Sequence, residues 1–200
     1  MLRQSNTPLA NSWILLLVSI LCATRRPPSS AHVNAGLRLY THLDQLSSDE
    51  FLCAAPVWLC VSERAGLDAL HHYKEAIQQR LEARRLQGYP PLQDSHAWKW
   101  QARLVTCILY TRSAWGLEPL AEPFQKEFSF LLDNLPRAIA EYELGLVGEF
   151  IYCIGLFRQS LPREERIKLA QAKEWLAGNY KEGTSLPLHV LWGIVVGLRE

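Results

Sequence analysis

An all-α fold built from a repeated pair of helices is what this sequence predicts, and three observations predict it. Cysteine returns at the same place in four successive apolar stretches, as Cys22, Cys60, Cys107 and Cys153. The step from Cys60 to Cys107 is 47 residues and that from Cys107 to Cys153 is 46. A fixed step of roughly 20–50 residues marks a repeat architecture. Between the apolar stretches lie more polar ones whose apolar residues recur three and four apart, the spacing of one helix face. The alternation implies two layers, an inner wall of apolar helices and an outer set of amphipathic ones. A single hairpin cannot bury its own face, so neighbours stack.

The elements follow in order. Residues 9–21 form the first apolar helix, and Trp13 lies nine residues before Cys22, as Trp98 lies nine before Cys107. The shorter stretch 33–46 offers Leu37, Tyr40 and Leu43. Ser47, Ser48, Asp49 and Glu50 then supply the capping oxygens for a second apolar helix near 51–59. Pro56 is the misfit there, because an interior proline kinks a helix. An amphipathic helix is expected at about 67–86, with Leu70, Tyr73, Ile77 and Leu81 on one face. The Gly88-Tyr89-Pro90-Pro91 run breaks it. The third apolar helix covers 97–106. A second amphipathic helix is expected at about 118–133, facing inward through Leu120, Phe124, Phe128 and Leu131. The fourth apolar helix is read as 142–152. A third amphipathic helix starts near Pro162, with Glu164 and Glu165 in the first turn where the helix dipole favours acids. Its expected inward residues are Ile167, Leu169, Ala170 and Leu176, and Gly178-Asn179 is expected to end it in the left-handed conformation. Residues 188–198 form the last apolar helix.

Bulk properties bound the function. Two hundred residues with 48% hydrophobic content suffice for one domain, 1–200, with a real core. Twenty-one basic residues against 20 acidic ones give a net charge of +1, which is no footprint for nucleic acid. Arg25-Arg26 and Arg84-Arg85 are isolated pairs that read as solvated. No metal or cofactor is expected: no paired Cys or His spacing is present, and cysteines on neighbouring helices stand too far apart for one zinc ion. They read as small reduced hydrophobes of a cytoplasmic protein. Cys53 is off the repeat phase.

Residues 1–30 carry two readings. The apolar run ending at Cys22 is too short to span a bilayer. As a signal segment cut after Ala23 it would place Leu21 at a position that favours small residues, and the protein would be secreted. As a first repeat helix it matches the end of the chain: Thr7-Pro8-Leu9 before Trp13 parallels Ser185-Leu186-Pro187-Leu188 before Trp192. The second reading is favoured, and with it the cytoplasmic one.

The stretch 172–198, an outer helix, a glycine turn and an apolar inner helix, resembles one unit of the α/α-toroid repeats of terpene cyclases and protein prenyltransferases. The resemblance implies an open or partial toroid, since a closed ring of six such pairs needs roughly 270 residues. Pairing with a second copy is the other way to close it, so a homodimer is allowed. The chemistry of those families does not carry over. The DxDD and DDxxD acid motifs, the Gln–Trp turn motif and the zinc ligand pattern are all absent.

In folds of that kind the turns before the inner helices build the mouth of the cavity. That rule selects Tyr89, Asp94, His96, Trp98 and Trp100 before and within the third apolar helix. It selects Arg137, Glu141 and Glu143 before the fourth, and Thr184, Ser185 and His189 before the last. Asp94, His96, Glu149 and His189 are the candidate acid–base groups. Asp94 has the plain alternative of a helix cap, His96 that of an exposed first-turn residue, and His189 that of a core histidine. Glu149 stands inside an apolar helix, where an isolated carboxylate is costly, so it is paired, protonated or turned to a wet cavity. Arg103 stands four before Cys107 as Glu149 stands four before Cys153, which makes the two an expected pair. Trp58, Tyr89, Trp98, Trp100, Arg103 and Trp192 are the candidate ligand-binding residues, or else core at helical spacing. Two functions follow: a concave pocket for a small apolar or peptide-like molecule, with acid–base catalysis attached, or a non-catalytic interaction scaffold.

Overall fold

A computed structural model of the chain describes residues 52–53, 71–113, 120, 124–157, 161–181, 194–195 and 197–198. Five helices stand in it: α1 (His71–Gln87), α2 (Ser95–Arg112), α3 (Gln125–Ala140), α4 (Leu144–Gly155) and α5 (Arg163–Asn179). No strand occurs among the described residues, so the all-α class holds there. The chain divides into two compact units, 1–111 and 112–200. The first apolar helix, Cys22, the stretch 33–46, Pro56 and Cys60 lie outside the described residues.

In the first unit α1 buries Ile77 and Leu81, two of the expected face residues. Gly88 ends it with a positive φ of 77°, and its N–H donates to Arg85 O at 3.0 Å. The Arg84 guanidinium donates to Gly88 O at 2.7 Å and stands 5.9 Å from the Tyr89 ring centre. The glycine conformation is thus closed off by a side chain from the helix it terminates. α2 is longer than expected at both ends. Most of its circumference is buried, including Trp98, Ala102, Leu104, Val105, Ile108, Leu109 and Tyr110. Cys53 finds its place here: buried, it donates its thiol hydrogen to Trp100 O at 3.6 Å. That bond ties Cys53 to α2, a contact that the cysteine period does not contain.

In the second unit α3 and α5 both pack on α4, and α3 also touches α5. The central helix α4 carries no charge except Glu149 and buries Gly145 through Ile151, Cys153, Ile154 and Gly155. An element apolar on every side is stable only when covered on every side. Beneath it α3 presents Phe130, Leu131, Leu135 and Ala138. Phe130 meets Phe150 edge-on with ring centres 6.5 Å apart, and Phe128 lies 4.8 Å from Phe157. Cys153 is buried while Cys107 is only half-buried, so the two cysteines do not share one environment.

Three local expectations are corrected. α3 does not stop at Asp133 but runs through Pro136 to Ala140. Proline loses one backbone hydrogen bond, and the loss is tolerated here on the exposed side of the helix near its end. The inward face of α5 is Leu169, Ala172 and Leu176; Ile167 is 50% exposed and Ala170 is exposed. Ile167 precedes Leu176 by nine residues, about two and a half turns, which sets it on the opposite side. α5 also does not end on a left-handed residue. Gly178 and Asn179 remain helical, and Tyr180 leaves in an extended conformation at φ −82°, ψ 122°.

The left-handed position falls instead on Tyr142, at φ 59°, between α3 and α4. Tyr142 N donates to Ile139 O at 3.1 Å and Glu143 N to Ala138 O at 3.0 Å. This is the paired closure of a Schellman motif, whose left-handed residue is usually glycine. A tyrosine there carries strain of about 1–2 kcal/mol. The compensation is visible: its hydroxyl donates to Asn179 Oδ1 at 2.6 Å, and its ring meets Trp175 edge-on at 5.4 Å. The side chain is 58% exposed, so this bond is modest in strength. Tyr142→Phe is expected to lower stability by about 0.5–1 kcal/mol. Urea unfolding of the pair of proteins checks it, and an unchanged midpoint would show that the hydroxyl contributes nothing.

Candidate functional site

The described site residues fall into both units. Tyr89, Asp94, His96, Trp98, Trp100 and Arg103 belong to the first, and Glu149 to the second. Trp58, His189 and Trp192 lie outside the described residues. Each unit is therefore taken by itself.

The second unit holds Glu149 at 7% exposure in the middle of α4. It does not stand alone, as an isolated carboxylate in that helix would be costly. Arg137 and Glu141, named as mouth residues, bind each other instead, Nε to Oε1 at 2.7 Å along the last turn of α3. Both are partly exposed, and such a pair contributes only about 0.3–0.5 kcal/mol. Glu127 is a second buried carboxylate, in the first turn of α3, where the helix dipole favours it.

In the first unit α2 carries the rest. Asp94 is its N-cap: Asp94 Oδ1 accepts from Ala97 N at 2.6 Å, and Asp94 O accepts from Trp98 N at 3.0 Å. One carboxylate oxygen is thus committed to the backbone. Asp94→Ala is expected to cost about 1 kcal/mol of stability. Thermal unfolding reads that cost, and a loss near zero would release Asp94 from the capping role.

His96, Trp100 and Arg103 follow at positions i, i+4 and i+7 and form one stripe along the helix. Trp100 Nε1 donates to His96 Nε2 at 3.2 Å, with the rings edge-on and their centres 6.0 Å apart. Accepting that hydrogen makes His96 the tautomer protonated at Nδ1. An acid–base role through Nε2 would first break the bond to Trp100. On the other side the Arg103 guanidinium stands 5.4 Å from the Trp100 ring centre, within reach of a cation–π attraction. Trp98 points the other way: it is 1% exposed and is part of the core.

The residue that sequence reasoning passed over is Gln101. It is 0% exposed, and neither Oε1 nor Nε2 has a hydrogen-bond partner. Three other polar side chains, buried or half-buried, are satisfied by their own helices. Thr106 Oγ1 donates to Arg103 O at 3.0 Å, Asn134 Nδ2 to Phe130 O and Asn179 Nδ2 to Trp175 O, both at 2.8 Å. Gln101 does not fold back in this way. A buried amide left dry costs several kcal/mol by transfer to an apolar medium, and about 1–3 kcal/mol in proteins. In the sequence its neighbours three and four residues away, Ala97, Trp98, Leu104 and Val105, are all apolar, which marks burial but not the missing partners.

Among the described residues no group of three or more His, Cys, Asp or Glu side chains could hold a metal ion. None of their helices is long and apolar enough to cross a membrane. No family model matches the chain, and neither a curated protein nor a solved structure does.

Proposed function

We propose that the protein binds a small apolar or peptide-like molecule, and that the polar anchor of that molecule is Gln101 on α2. The observation that carries this reading is the fully buried amide with both of its polar atoms unbonded. Buried polar groups are almost always paired, and one left over among apolar residues is the usual composition of a ligand site. Binding comes before catalysis in this reading, because Asp94 and His96, the acid–base candidates of the first unit, each hold a hydrogen bond of their own.

Ligand-stripped protein tests it. Returning the low-molecular-weight extract of the native host is expected to raise the unfolding temperature of the wild type, as any ligand of the folded state does. Gln101→Leu is expected to lose that rise. A wild type indifferent to the extract would refute the reading.

The interaction scaffold is the second reading. It draws on the second unit, where the large side chains of Ile167, Tyr142 and Val195 are each half exposed or more. It expects a co-purifying protein or a second copy of the chain.

A further inference from the structure

We infer that Tyr142 is a latch: the left-handed corner between α3 and α4 and the last turn of α5 close together and open together. Tyr142, Trp175 and Asn179 form it. The Tyr142 hydroxyl donates to Asn179 Oδ1 at 2.6 Å, and the Tyr142 ring meets Trp175 edge-on at 5.4 Å. Asn179 Nδ2 in turn donates to Trp175 O at 2.8 Å. That last bond fixes which end of the amide faces the phenol. Turning the amide over would set Asn179 Oδ1 against the Trp175 carbonyl, oxygen against oxygen. The acceptor is therefore held ready, and only a group with a hydrogen to give can close on it. Trp175 and Asn179 stand one turn apart on α5, so the corner grips one face of that helix where it ends.

Each side needs the other for its own reason. A left-handed tyrosine persists only where its surroundings over-determine it. The corner supplies two backbone bonds, from Tyr142 N to Ile139 O and from Glu143 N to Ala138 O, and both require the left-handed step. When α5 lets go, the tyrosine relaxes and both bonds are lost. At the other side α5 has no left-handed cap. Tyr180 N donates to Leu176 O at 2.9 Å and the chain then leaves in an extended conformation. α5 packs mainly on α4 and only slightly on α3. Tyr142 thus joins the ends of two helices that otherwise touch little. Such coupling is reciprocal: what loosens Asn179 loosens the corner by the same factor, and the converse holds. An exposed bond that restrains a strained residue opens well before the whole unit unfolds.

Native-state hydrogen exchange of the full chain in increasing urea makes the test. The Glu143 N–H reports the corner, and the Tyr180 N–H reports the end of α5. In the wild type the two are expected to show equal protection and an equally shallow dependence on urea, the mark of one small shared opening. Asn179→Ala is expected to lower the protection of the Glu143 N–H about two- to tenfold, the loss of one hydrogen bond, although that N–H bonds to α3. Tyr142→Gly removes the strain together with the contacts, because glycine keeps the left-handed step unaided. In that background Asn179→Ala is expected to leave the Glu143 protection unchanged. The latch is overturned by unequal wild-type protection at the two N–H groups, by an Asn179→Ala effect that is absent at Glu143, or by one that persists in Tyr142→Gly. A urea dependence as steep as that of Phe150 in the α4 core would also overturn it, since the corner would then open only with the whole unit. None of these results bears on Gln101, which belongs to the other unit.

Discussion

Gln101→Leu is expected to make the ligand-free protein more stable by about 1–3 kcal/mol, a direction opposite to that of most core substitutions. Leucine is close to glutamine in volume and at least as good in a helix, so packing and propensity change little. What changes is the amide. Both of its polar atoms are buried and unbonded, so removing them removes a desolvation cost and orphans no partner. A buried glutamine in a satisfied network would behave otherwise, since its loss would strand the groups that it had bound. The urea midpoint of ligand-free wild type and variant decides between the two. A gain in the variant, reversed when ligand is present, would identify Gln101 as a residue kept for binding at the expense of stability. A clear loss of stability would show that the amide is already served.

Gly197→Ala is expected to cost about 2–3 kcal/mol, at the upper part of the range for overpacking. A Cβ at Gly197 would stand 2.5 Å from Gly148 Cα, 2.7 Å from Gly148 O and 3.0 Å from its carbonyl carbon. All three are backbone atoms of α4, the most buried helix of the second unit, and they cannot swing aside as a side-chain tip can. Gly197 therefore approaches α4 glycine to glycine. Gly178 is the internal control. It sits in the last turn of α5 with nothing within 4 Å of the added methyl, and its φ is not positive. Gly178→Ala is expected to stabilise by about 0.5–1 kcal/mol through helix propensity and a less flexible unfolded chain. Thermal unfolding of the two variants side by side checks both. Equal effects would mean that the Gly148–Gly197 approach relaxes freely.

Much of the local structure is legible from periodicity, and where it is not the reason is physical. The run of α4, apolar but for Glu149, reads as a buried helix, and the run of Gly88, Tyr89 and two prolines reads as a break. Asp94 before a helix start reads as a cap and is one. Proline, by contrast, is a weak stop near the exposed end of a helix, and α3 runs through Pro136 past the end expected at 133. The α5 face was misread because Ile167 is apolar, although it lies half a turn away from Leu176. Tyr142 could not be read as the left-handed residue, since the contacts that offset its strain come from Trp175 and Asn179, on a different helix. Cys53 escaped for the same reason: its partner, Trp100 O, is 47 positions away. The site is the least legible part. Residue type pointed to the titratable groups of α2, whereas satisfaction, which only three dimensions reveal, points to Gln101.

The most direct measurement of the central claim is the native mass of the protein purified gently from its own host, wild type beside Gln101→Leu. A wild type carrying the added mass of a small neutral molecule, absent from the variant, is the predicted result, and the mass itself would name the compound class. A bare chain in both, or the same added mass in both, would contradict the claim that Gln101 anchors a ligand.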